Sequence, residues 1–114
     1  LIIATPTGST AYSLSVGGPI LTPDSENFVI TPIAPHNLTV RPVVVPDHYE
    51  LSLRVEGRGN QFLTSLDSRS ANVNLSTTVT VRKAGFKLKT LHLPGQSFFQ
   101  TLSNKMMWGA DRRN

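Results

Sequence analysis

The sequence predicts a mainly β fold: layered antiparallel sheets in a sandwich-like domain, with one short helix after the first strand and one C-terminal helix. Three observations predict it. Short runs rich in Val, Ile, Leu and Thr recur about every ten residues, separated by Gly, Pro, Asn and Asp. Two runs, Tyr49–Val55 and Thr78–Arg82, alternate apolar and polar residues as half-buried strands do. Helical spacing is confined to two stretches, one near each end.

Taken in order, Leu1 to Ala4 reads as a buried strand and Ser9 to Val16 as a helix, capped by Ser9 or Thr10 and ended by Gly17 or Gly18. Gly18 to Glu26 is a loop with two prolines, Pro19 and Pro23. Asn27–Ile33 is a strand stopped by Pro32 or Pro35, and Leu38–Val45 another in which Pro42 requires an edge position or a bulge. Tyr49–Val55 turns its Leu51, Leu53 and Val55 inward. Gly57–Asn60 is a hairpin-grade turn leading to the strand Gln61–Leu66, and Asp67–Ser70 turns again. Thr78–Arg82 and Phe86–Leu93 are the last strands, separated by Gly85 and closed by Pro94-Gly95. Ser97 caps a final helix that places Phe98, Leu102 and Lys105-Met106 on adjacent turns; Trp108-Gly109 ends it, and Asp111–Asn114 is a polar tail.

The 114 residues suffice for a single domain with its own core. Eleven Lys and Arg against seven Asp and Glu leave a net charge of +4, but the basic residues are scattered except at 82–89 and Arg112-Arg113. That distribution suits a solvated face or a protected strand edge and not a nucleic-acid partner. No run approaches a membrane span, and the absence of cysteine removes disulfides and thiolate metal sites while fitting a reducing cytosol. Because Leu1 opens within an apolar segment, the sequence is expected to be a fragment, with any targeting leader lying before it. Residence in the cytoplasm, or in the mitochondrial matrix with such a leader, is the corresponding expectation.

The most informative stretch is Thr5-Pro-Thr-Gly-Ser-Thr-Ala-Tyr-Ser-Leu-Ser15. A strand, a tight polar turn and a helix start present hydroxyls, amide N–H groups and the Tyr12 ring together. Ribose and phosphates want such donors, and a base wants a flat apolar face. An ordinary Ser/Thr-rich turn with Tyr12 in the core is the alternative. His36, between prolines, reads as a turn histidine in preference to a catalytic base. Arg41 either pairs with a carboxylate or phosphate or caps a sheet edge, and Asp67 reads as structural. His48 and His92 lack partners in sequence, so no metal site is predicted.

The string Thr5–Ser15, with Gly17-Gly-Pro-Ile20 after it, resembles the signature of the NAD kinase family. Thr31-Pro-Ile-Ala-Pro-His-Asn-Leu-Thr-Val-Arg-Pro42 and Ser65-Leu-Asp-Ser-Arg69 are similar to two further motifs of that family. The resemblance implies a carboxy-terminal all-β domain that binds NAD(H), with Thr7, Thr10, Ala11, Tyr12 and Ser15 as dinucleotide contacts. It implies ATP and Mg²⁺ for the whole enzyme, phosphorylation of the adenosine ribose 2′-hydroxyl to give NADP(H), and a homo-oligomer, dimer or tetramer. The segment from Thr31 would lie at the subunit interface. The family's Gly-Gly-Asp-Gly motif and Asn-Glu or Asn-Asp pair do not occur here, so catalytic residues are expected in an amino-terminal domain and no turnover from residues 1–114 alone. Relatives of this kind carry Asp-Gly where this chain has Asp67-Ser68, so a positive φ at Ser68 would carry a cost. The competing readings are a non-catalytic β-sandwich module that binds a nucleotide or an assembly partner, and a related lipid-kinase-like domain.

Overall fold

The computed structural model describes residues 1–110; the polar tail, Arg112-Arg113 included, lies outside the described residues. The fold is mainly β, with antiparallel pairings and two short helices. The described chain divides into two compact units, residues 46–84 forming one and residues 1–45 with 85–110 forming the other.

The first unit holds β1 (Ile2–Ala4), a 3₁₀ turn (Thr7–Thr10), α1 (Tyr12–Ser15), β2 (Asn27–Thr31), all but the last residue of β3 (Val43–Pro46) and α2 (Phe98–Met106). The sheet order is β1-β2-β3, and β1 meets β2 antiparallel with Ile2 opposite Thr31 and Ala4 opposite Val29. β2 is the middle strand, which explains why Phe28, Val29 and Thr31 are all buried: consecutive residues point to opposite faces, and both faces are covered. Pro32 stops the strand because it has no N–H to offer the ladder. In α2, Ser97 sits in an extended conformation and its side chain accepts from the Gln100 amide, as a cap should. Leu102 is the buried residue of that helix, and Met107 ends it in a left-handed conformation (φ 54°).

In the second unit, β4 (Leu51–Leu53) pairs antiparallel with β7 (Val79–Val81), Leu51 facing Val81. β5 (Gln61–Leu66) and β6 (Arg69–Asn74) form a hairpin closed by Asp67-Ser68, with Leu66 opposite Arg69. Lys83 forms an ion pair with Asp47.

Several elements differ from expectation, each for a local reason. The strand expected over Leu38–Val45 begins only at Val43. Asn37 captures the chain first: its Oδ1 accepts from the Thr39 amide at 3.0 Å and its carbonyl from the Val40 amide at 3.2 Å. Pro42 then removes one more ladder donor. Val55, expected inward, is exposed beyond the end of β4. β6 was not anticipated because Ser70, Asn72 and Asn74 carry little strand propensity; the ladder with β5 makes it a strand. Conversely, residues 86–93 form no strand despite their alternation. Phe86, Leu88, Leu91 and Leu93 are exposed, and alternation describes a face, whereas a ladder needs a neighbour.

Candidate functional site

The continuous helix expected over Ser9–Val16 is two pieces. The chain makes the 3₁₀ turn Thr7–Thr10, breaks at Ala11 (φ −97°, ψ −128°) and then completes the single turn α1. Hydroxyl side chains compete here with backbone pairing. Neither Ser9 nor Thr10 caps a helix. The Thr5 hydroxyl, ahead of the turn, accepts from the Gly8 amide at 3.2 Å. Gly17 ends α1 in the left-handed region at φ 91°, where a Cβ is disfavoured.

The hydroxyls of this stretch separate into two sets. Ser9 and Ser13 are fully buried and committed to the protein. Ser9 Oγ donates to the Pro6 carbonyl at 2.6 Å and accepts from the Leu21 amide at 2.9 Å. Ser13 Oγ shares a hydrogen bond of 2.9 Å with Thr31 Oγ1 on β2. Thr7, Ala11, Tyr12 and Ser15 are exposed and Thr10 is half-buried. Tyr12 is 61% exposed, so its ring is not the core residue that the ordinary-turn alternative required. Ser15 Oγ donates to the Tyr12 carbonyl at 2.7 Å and therefore meets any ligand as an acceptor. The turn thus brings all five expected contact residues onto one short segment packed on β1, with a free aromatic face and free hydroxyl lone pairs.

The other candidates fall elsewhere. His36 is exposed, and its segment contains Ala34 at φ 44°, a conformation that costs a non-glycine residue about 1 kcal/mol. Arg41 Nη1 donates to the Leu38 and Val40 carbonyls at 2.6 and 3.0 Å, so it caps its own loop and, among the described residues, pairs with no carboxylate. Asp67 occupies the β5–β6 turn, and it is Asp67, not Ser68, that adopts positive φ (53°). His48 stacks edge-on against Tyr49, and His92 lies 3.4 Å from the Thr90 hydroxyl. Among the described residues no group of three or more His, Asp or Glu is placed to hold a metal ion, and no helix is long and apolar enough to cross a membrane. Sequence reasoning missed the anchoring roles of Thr5, Ser9, Ser13 and Thr31. The four-residue spacing of Ser9 and Ser13 was the available signal.

The profile of the ATP-NAD kinase C-terminal domain matches residues 1–93. An NAD kinase of Flavobacterium johnsoniae is 58% identical over 114 residues, covering 100% of this chain and 39% of that protein. An NAD kinase of Bacteroides fragilis is 53% identical over 113 residues, 99% of this chain and 39% of its own length. The chain therefore spans well under half the length of these curated relatives. Among solved structures, yeast NADH kinase complexed with NADH superimposes with a TM-score of 0.75 at 22% identity, over 96% of this chain and 35% of that one. That likeness concerns the fold.

Proposed function

The chain belongs to the ATP-NAD kinase family, matching its C-terminal domain, and on that premise we propose that it is the part of an NAD(H) kinase that holds the dinucleotide. The whole enzyme would transfer the γ-phosphoryl group of ATP to the adenosine ribose 2′-hydroxyl. The 2′-oxygen forms the new bond to phosphorus, ADP departs, and a base removes the hydroxyl proton. The observation that carries the reading is the separation of the turn into buried anchoring hydroxyls and an accessible set: Thr7, Ala11, Tyr12 and Ser15 exposed, with Thr10 half-buried.

Each accessible residue has a task that its chemistry suits. The Tyr12 ring stacks on the adenine, an interaction of roughly 1–3 kcal/mol. Thr7 and Thr10 offer hydroxyls to ribose or base edges, Ser15 offers acceptor lone pairs, and Ala11 leaves room for close approach. In this role the domain orients the acceptor hydroxyl, which is where most of the catalytic benefit of phosphoryl transfer lies. The described residues offer no carboxylate cluster for Mg²⁺, so no step is assigned to a metal in this domain. A homo-oligomer, dimer or tetramer, is supported by the exposed Ile33, Leu38, Val40, Val43 and Val44, which lie in and just after the motif that begins at Thr31. The curated relatives are bacterial and give a mitochondrial form no support.

Calorimetric titration with NAD, on the chain and on Tyr12→Ala, tests the site. The expected result is saturable binding weakened roughly tenfold or more in the variant, as loss of a stacking ring requires. Equal affinity in the two proteins would move the dinucleotide elsewhere. Residues 1–114 alone are expected to bind without turnover, and light scattering on the same samples reports the subunit number.

A further inference from the structure

The segment beginning at Thr31 is one of the three family-like motifs, yet its first residue has no access to any ligand, being 0% exposed. Its hydroxyl is spent on Ser13, which is itself 1% exposed and lies between Tyr12 and Leu14 on α1. Gly18 completes the junction. Its amide donates to the Ser13 carbonyl at 2.8 Å, and a Cβ on Gly18 would lie 2.3 Å from Ser13 Oγ and 2.9 Å from Thr31 Oγ1. Helix, following loop and middle strand therefore meet at a single hydroxyl pair, with no space left over.

α1 needs such a tie. It is four residues long with no side-chain cap, and one helical turn has no stability of its own. What fixes its placement is the contact it makes with the sheet. We infer that Thr31 is a positioning residue for the dinucleotide site: acting through Ser13, it sets where α1 lies against the sheet, and so where the Tyr12 ring and the Ser15 hydroxyl point. This inference rests on reading the turn as the NAD(H) site. It gives the second motif a role in the first without any contact between Thr31 and the ligand.

The test is NAD titration of residues 1–114 by calorimetry, at a temperature where melting curves show every variant folded. The variants are Thr31→Val, which keeps the branched shape and removes the hydroxyl, Ser13→Ala, Thr31→Ser, and the double variant Thr31→Val with Ser13→Ala. Tyr12→Ala reports on the site itself, and Ser97→Ala, on α2, is a control that loses stability away from the turn. Thr31→Val and Ser13→Ala are each expected to weaken NAD binding roughly tenfold, as expected when binding groups are slightly misplaced. The double variant should be no weaker than either single, because both remove the same hydrogen bond. Thr31→Ser should restore affinity to near the original value, and Ser97→Ala should not change it. Lower melting points with unchanged affinity in Thr31→Val and Ser13→Ala would make the pair merely structural and overturn the inference, while a loss in Tyr12→Ala would leave the site reading standing. Undiminished binding by Tyr12→Ala would overturn both. If Thr31→Val does not fold, Ser13→Ala against Thr31→Ser decides the matter alone.

Discussion

Ser9 Oγ accepts the amide proton of Leu21 at 2.9 Å, joining the 3₁₀ turn to the loop that leaves α1. The same hydroxyl donates to the Pro6 carbonyl, so one fully buried side chain satisfies a donor and an acceptor from separate segments. Replacing it with alanine removes both bonds and strands the Leu21 amide in a half-buried position. Ser9→Ala is therefore expected to lower unfolding free energy by about 1–3 kcal/mol, the usual cost of orphaning such a group. Urea denaturation measures it, and a loss below about 0.5 kcal/mol, the ordinary range for surface changes, would show that water takes over the bonds.

The β5–β6 turn carries its strain at Asp67 and not at Ser68. Asp tolerates a left-handed backbone because its short polar side chain can bond locally, whereas a β-branched apolar residue does not. Asp67→Val should destabilise the hairpin by about 1–2 kcal/mol, while Ser68→Gly should change it by less than about 0.5 kcal/mol. Amide hydrogen exchange across residues 61–74 distinguishes them. The opposite ranking would place the positive φ at Ser68.

Ser97 is the N-cap of α2, accepting from the Gln100 amide at 3.1 Å. Ser97→Ala should cost about 1 kcal/mol and speed exchange of the Gln100 amide, and Ser97→Asp should hold it, since both Ser and Asp supply the accepting oxygen. Equal exchange rates in all three would show that the cap contributes nothing to helix stability.

Much of the fold was legible because burial leaves a period in the sequence. Leu51, Ser52 and Leu53 alternate as β4 does, and the apolar run Phe28–Ile30 marked a strand, though not that both its faces are covered. Gly17 announced the end of α1, and Ser97 the start of α2. What escaped had no such period. β6 is built from Ser, Ala and Asn and exists because β5 lies beside it, while residues 86–93 have the alternation without a neighbour. The candidate site divides in the same way. Its proposed members stand together in one string, but nothing in that string separates Ser9 and Ser13 from Thr10 and Ser15.

The sequence by itself therefore determined the fold class and the family, and singled out the segment proposed to carry the site, because hydrophobic period, turn residues and a long motif are all local properties of the chain. Tertiary structure alone decided which hydroxyls face solvent, that Thr31 secures Ser13, and which alternating run becomes a strand. Those outcomes depend on which backbone groups find partners across the fold, and a hydrogen bond between residues eighteen apart leaves no mark on the residues between them.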